Sequence, residues 1–441
     1  MKKRIAIGVF LLLLAAGGAV AGLWYREQTE DKTVRGSPTV EFETTSEPAE
    51  QTRPRNVVKE MPWPMYGYDA ARTHVGSDFR HRPPFRRLWS VETGDYIEFP
   101  PAVAEGRLFV ANQRGRVMAI GAKRGHVLWQ KQFPRCIAAG AAVAYGLVYQ
   151  PVMNEIPCAV RSNRERLRGF LLALDQETGR VRWRFDGPVV ESSPLVVGRL
   201  VIVGAWDHKL YAFDARTGKQ RWAFDTGAEI DSSAAYGDGL VFIGTNAGEI
   251  IALSAFTGEL RWRSSSFSRF GSREYFYATP TVAYGRVYAA NTDGTLYSFG
   301  AKTGNLLWAK EVGSYLYSAP AVWERRVYVG SYDGRFSALD AATGDIRWRW
   351  ESPGAIHGAP TVLGGLVYFS STSDGLATSK AKRYIKRGAR GTYALDARTG
   401  KVVWRKPGQG QYSPIVADQE RVYFTGSTRV HGLKPKRQAP S

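Results

Sequence analysis

The sequence predicts an all-β fold, an eight-bladed β-propeller, and three observations predict it. The first is a motif, Asp-x-x-Thr-Gly, with a Trp four residues beyond its Gly. Full copies are Asp175–Gly179 with Trp183, Asp214–Gly218 with Trp222, Asp340–Gly344 with Trp348 and Asp396–Gly400 with Trp404; looser copies end at Trp129, Trp262 and Trp308. The second is that each copy closes a unit of four short apolar runs separated by Gly-bearing turns, the pattern of one antiparallel sheet. The third is the spacing, since tandem four-stranded sheets of about 40 residues make a propeller.

The order inside a unit is constant. A small-residue segment comes first, as in Ser192-Ser193-Pro194, Ser318-Ala319-Pro320 and Gly358-Ala359-Pro360. An alternating run such as Arg326–Val329 follows, then a turn such as Asp333-Gly334, then a third run through Phe336 and Ala338. The Thr-Gly turn then delivers the Trp strand. Its Gly stands where a Cβ would clash, and its Asp caps the turn through the side chain. A small residue on the third run (Ala119, Ala173, Ala212, Ala252, Ser298, Ala338, Ala394) leaves room for a neighbouring indole. Each indole buries roughly 200 Å² between blades.

The Trp spacing counts the blades. Trp89, Trp129, Trp183, Trp222, Trp262, Trp308, Trp348 and Trp404 are separated by 40, 54, 39, 40, 46, 40 and 56 residues, which gives seven complete units. Three runs remain after Trp404 (413–416, 422–425 and 430–433), and an orphan Trp strand, Arg87–Val91, precedes the first unit. Joined, they form an eighth blade that closes the ring and removes its open edges. Seven blades is the alternative if the ends do not pair.

The rest of the chain divides around this body. Lys2, Lys3 and Arg4 precede an uncharged stretch, Ile5–Tyr25, of 21 residues. That is long enough to span about 30 Å of hydrocarbon as a helix, with the basic flank on the cytoplasmic side. Residues 1–25 are therefore a membrane anchor or, since Ala19-Val20-Ala21 fits a small-x-small cleavage site, a removable signal peptide. Either reading puts the body outside the cytoplasm: at the cell membrane through a single pass, or secreted or periplasmic after cleavage. Residues 26–60, rich in Glu, Thr, Pro and Arg, read as a disordered tether. Residues 61–84 are a lead-in, 85–434 the propeller and 435–441 a tail.

Composition narrows the chemistry. The chain has 441 residues, 44% apolar and 23% charged, with a net charge of +20. This is a globular composition. The positive balance attracts anionic surfaces, but no nucleic-acid motif accompanies it, and no nucleic-acid partner is expected. Two cysteines exclude a multi-cysteine metal centre. The sequence has no Gly-x-Ser-x-Gly elbow and no Walker loop. Its six His form no pair at metal-ligand spacing on one element. No catalytic residue and no metal ligand is assigned. Acid–base carboxylates from different blades are beyond the reach of spacing.

Two regions are candidate binding surfaces. Three positions before the Pro of each innermost strand lie Glu98, Glu191, Tyr277, Tyr317, His357 and Gln411; blades without Pro give Ala138 and Asp231. These residues form a ring at the mouth of the central channel. It is either a solvated lining or a small-molecule, sugar or peptide site. Insertions lengthen two blades between their second and third strands, and both project on the face where that ring opens. One carries Arg161, Arg164, Arg166 and Arg168; the other carries Lys380, Lys382, Arg383, Lys386, Arg387 and Arg390. These ten cations are suited to anionic lipid, a wall polymer or an acidic protein, or simply to solvent. Cys158 in the first insertion and Cys136 at the base of its blade are expected to pair, closing a loop of about 20 residues worth roughly 3 kcal/mol.

The repeat resembles that of the pyrroloquinoline-quinone (PQQ) propellers, across Trp89–Leu433. The lead-in Trp63-Pro64-Met65-Tyr66-Gly67-Tyr68-Asp69, with Arg72-Thr73, resembles the opening of envelope-associated members. The resemblance implies one of two branches. Quinoprotein dehydrogenases bind PQQ and calcium on the ring axis. BamB-type propellers are cofactor-free interaction scaffolds of outer-membrane assembly. The sequence departs from the dehydrogenases, whose adjacent-cysteine disulfide has no counterpart in Cys136 and Cys158. It departs from BamB-type lipoproteins in lacking a lipid-bearing Cys after the apolar run. The expected function is a monomeric, cofactor-free propeller that binds a partner in the cell envelope. The alternatives are a PQQ- and calcium-dependent oxidoreductase and a carbohydrate or wall-polymer receptor.

Overall fold

A computed structural model describes residues 33–35, 61–155, 158, 163–267, 273–372, 391–407 and 415–436. The expected anchor (1–25) and most of the tether and tail lie outside them. Among the described residues no helix is long and apolar enough to cross a membrane.

Eight sheets form the ring, antiparallel throughout except where lead-in residues Val75–Gly76 add parallel to the inner strand of blade 7. Blade 1 comprises Ala102–Ala104, Arg107–Ala111, Arg116–Gly121 and Val127–Gln132, from the axis outward. Blades 2 to 7 repeat this order, starting at Ala142, Leu195, Ala235, Thr281, Ala321 and Thr361. Blade 8 is assembled from both ends: Ile415–Ala417, Val422–Thr425 and Arg429–Pro435 pair outward, and Phe85–Glu92 completes it antiparallel to Arg429–Pro435. The eight-blade reading holds because the orphan Trp strand supplies the edge that the C-terminal strands lack.

Indoles lock the blades. The ring N–H of Trp183 donates to the Ala215 carbonyl at 2.9 Å, and that of Trp222 to Ala255 at 3.0 Å. Trp89, Trp129, Trp262, Trp308 and Trp348 make the same bond to the next blade, at 2.9–3.2 Å. Beneath each of these indoles lies the turn Gly of the next blade: a Cβ on Gly218 would stand 2.7 Å from the Trp183 ring, and one on Gly258 2.8 Å from Trp222. Their positive φ values, 72° and 75°, suit only glycine for the same turn. The room for the indole thus comes chiefly from the turn glycine. The Asp caps as expected; Asp214 Oδ1 accepts from the Thr217 backbone N–H at 3.1 Å and its hydroxyl at 3.0 Å.

The lead-in closes the channel. Trp63 bridges to Val103 of blade 1, and the Pro64 carbonyl accepts from Val143 of blade 2. The carbonyls of Ala70, Ala71, Thr73 and His74 accept from the inner strands of blades 4 to 7. Blade 3 is reached by Arg72, whose guanidinium donates to the carbonyls of Ser193, Pro194, Ala234 and Tyr66. Arg72 is fully buried, and burial lowers its pKa to about 10. His81 reaches the Asp418 carbonyl of blade 8 at 2.7 Å. One segment thus ties every blade to a common floor.

Two predictions follow from this packing. Trp308 is 1% exposed, so Trp308→Ala is expected to cost about 3–5 kcal/mol in denaturant unfolding. His74 is buried beside Tyr66 and Arg72, and burial holds its pKa down to about 3 from 6.5. The unfolded chain takes up a proton that the folded one refuses, so stability falls as pH drops from 6.5 toward 3. The slope from this group is about 1.4 kcal/mol per pH unit; His74→Gln should flatten that part of the stability–pH curve.

Candidate functional site

The mouth of the channel gathers side chains from most of the ring. Each inner strand runs from the mouth toward the floor, so the residues just before it crowd the axis. Glu98, Ala138, Glu191, Asp231, Tyr277, Tyr317 and His357 line one axial cavity of about 50 Å³, floored by Tyr66. The seven residues lie on seven successive inter-blade connections, as the repeat register requires. Gln411 falls outside the described residues.

One wall of the mouth is charged. Arg164 stands on a single 3₁₀ turn, Arg164–Arg166, inside the blade 2 insertion. Its Nη2 donates to Glu191 at 3.0 Å and to Asp231 at 2.5 Å, and its Nη1 to Glu229 at 2.9 Å. Its guanidinium lies 3.8 Å above the Trp206 ring, a stacking that suits a planar cation. Glu191 is held on three sides: its Oε2 accepts from Arg164 and from the Trp206 indole at 3.0 Å, and its Oε1 from the Tyr277 hydroxyl at 3.1 Å. Asn246 donates to Asp231 at 2.9 Å.

The charges do not balance locally. Burial first, and then the repulsion of Asp231 and Glu98, push the Glu191 carboxyl well above its ordinary pKa, while Arg164 pulls it down. Glu98, with Gln113 as donor at 3.0 Å, is also raised by burial. The attraction of Asp231, Glu191 and Glu229 raises Arg164, outweighing its desolvation. The opposite wall is aromatic. Tyr277 meets Tyr317 edge-on at 4.9 Å, and Tyr317 stacks on His357 at 5.2 Å. Burial raises Tyr317 to about 12 and lowers His357 to about 3, which leaves both neutral near pH 7.

The basic loops are only partly described. Arg164 is drawn into the mouth, whereas Arg166 and Arg168 stay exposed. Arg161, Lys380, Lys382, Arg383, Lys386, Arg387 and Arg390 lie outside the described residues. Cys136 and Cys158 are paired, with Cα atoms 5.2 Å apart. The bond fastens the insertion six residues before Arg164. Sequence reasoning missed Trp206 and Glu229. Glu229 is two residues from Asp231 and so on the same face of an extended segment. Trp206 is out of phase with the docking indoles, which is the signal that sets it apart.

Among the described residues the axial cavity does not fit a quinone. A cavity of about 50 Å³ has the size of one or two waters, too small for a fused tricyclic ring. Among the described residues no three His, Cys, Asp or Glu side chains are grouped to hold a metal ion. A wider, open concavity of about 670 Å³ lies on the other face between blades 8 and 1, lined by Asp78, Arg80, Lys123 and Glu420 among others.

The family model described as outer membrane protein assembly factor BamB matches residues 86–222, 206–317 and 313–437, which together span the ring. The chain belongs to this family. Relatives of that name include those of Shewanella oneidensis (26% identical over 258 residues, 51% of this chain and 61% of the relative) and Burkholderia pseudomallei (28% over 244 residues, 52% and 60%). The chain thus spans about three fifths of the length of these curated relatives. The solved structure of BamB from Moraxella catarrhalis matches with a TM-score of 0.61 at 20% identity, covering 80% of this chain and 100% of that one. Quinohemoprotein alcohol dehydrogenase from Comamonas testosteroni matches at 0.67 and 15% identity, covering 86% and 81%. These two structures share the fold.

One prediction tests the mouth. Arg164→Ala removes the cation that favours ionised Glu191, so the Glu191 carboxyl should titrate at higher pH in carbon-detected NMR. An unchanged or lower midpoint would show that Arg164 does not occupy the mouth in solution.

Proposed function

We propose that this chain is a non-catalytic interaction scaffold of the bacterial cell envelope that takes part in outer-membrane protein assembly. The observation that carries the reading is the Arg164 guanidinium set among Glu191, Glu229 and Asp231 at the mouth. These charges are held by a closed ring and a stapled loop, a preorganised polar surface of the kind that sets specificity in protein recognition. The family membership supports the assembly role, since the relatives bear that name.

The basic flank and apolar run of residues 2–25 support a membrane-tethered form with the propeller outside the cytoplasm. The partner is an envelope protein that meets the mouth face.

A photo-crosslinking residue at Glu165, beside Arg164, tests this in cells making the full chain. It should capture an envelope protein that the same probe at Val181, on the outer rim of blade 2, does not capture, and Arg164→Glu should abolish the adduct. Identical adducts from both positions, or an adduct indifferent to Arg164→Glu, would refute the assignment of the mouth as the docking face.

A further inference from the structure

We infer that Thr33–Arg35 is a strap that mounts the propeller by the outer edge of blade 5. These three residues add an antiparallel strand there, pairing Thr33 with Lys310, Val34 with Ala309 and Arg35 with Trp308. The outer strand of a blade otherwise presents a row of unpaired backbone groups, which a further strand readily joins.

The sequence of the edges explains the choice of blade. The residues flanking the docking Trp are Arg182 and Arg184 in blade 2, Arg261 and Arg263 in blade 4, and Arg347 and Arg349 in blade 6. Blades 1, 3, 7 and 8 each have at least one polar or charged flank, at Gln130, Arg221, Arg405 and Ser90. Blade 5 has Leu307 and Ala309, apolar on both sides. Charged side chains at an edge oppose strand addition, and blade 5 lacks them at these positions.

Burial shows that the strand covers this edge. Leu307 is 8% exposed, whereas Leu128 and Val403, at the same position in blades 1 and 7, are 42% and 49% exposed. Ala309 is 1% exposed, whereas Ala223, its counterpart in blade 3, is exposed. Residue type is alike in each pair, so the difference lies in the added strand.

The consequence rests on the membrane-tethered form proposed above. Seven residues lie between Tyr25 and Thr33, eight Cα steps that reach at most about 28 Å. The rim of blade 5 is then the part of the ring nearest the membrane. The axis lies alongside the bilayer, and the Arg164 mouth opens sideways toward a partner rather than into lipid.

Hydrogen exchange on the full chain tests the strap. Amides of Leu306–Glu311 should exchange more slowly than those of the corresponding blade 7 strand, Val402–Pro407. Val34→Pro, which removes a backbone donor, should accelerate the blade 5 amides roughly tenfold or more while leaving blade 7 unchanged. Unchanged protection in Val34→Pro would overturn the strap. In vesicles whose lipid headgroups carry a quencher, a fluorophore at Lys302→Cys on the blade 5 turn should be quenched, and one at Leu128→Cys on blade 1 should not. Equal signals with blade 5 protection intact would overturn the mounting to the membrane while the strand pairing stands. Loss of the protection difference would overturn the strap whatever the membrane result.

Discussion

The structure depends on one repeated contact: an indole from seven of the eight blades lying over the turn glycine of the next blade and donating to a carbonyl beside it. It joins apolar burial to a directional hydrogen bond, so successive sheets meet at a fixed angle. Trp183 on Gly218 and Trp222 on Gly258 show the geometry: an added Cβ would strike the ring at either glycine. Seven interfaces use it. The eighth, between blades 7 and 8, has no Thr-Gly turn to receive Trp404; Phe85 meets Trp404 edge-on at 5.7 Å instead. The ring itself is closed inside blade 8, by the pairing of Phe85–Glu92 with Arg429–Pro435.

A ring of this kind brings together residues that are remote in sequence. Glu98, Asp231 and His357 come from three different blade junctions yet share one cavity. The lead-in turns the channel into a cup, and the insertion of blade 2 brings Arg164 to its rim. Ion pairs this enclosed contribute little net stability once desolvation is counted. Their consequence is positional, because the carboxylates fix where the guanidinium stands. The disulfide shortens the path over which that loop can wander. The apparent excess of basic loop charge is thus partly spent inside the molecule, against acidic groups that the same ring supplies.

The repeat was legible because it is periodic. Thr-Gly turns and tryptophans at regular spacing stated the blade number, and the orphan strand Arg87–Val91 stated the closure. The seven described mouth residues were legible for the same reason, since one register brings them to one cavity. The floor was not: Arg72 reaches backbone carbonyls of blades 3 and 4 and of Tyr66, and backbone acceptors leave no mark on the sequence that supplies them. Arg164 was visible only as one cation in a basic loop, because its partners lie 27 to 67 residues away. Thr33–Arg35 was hidden in a polar stretch, while the bare edge it covers, Leu307 and Ala309, was readable in the repeat.

A double-mutant cycle between Arg164 and Asp231 tests the account most directly, because the two side chains meet only if the ring, the register and the stapled loop are all as described. Unfolding free energies of Arg164→Ala, Asp231→Asn and the double variant should reveal a coupling of about 1–3 kcal/mol. Additive effects, with no coupling, would contradict it.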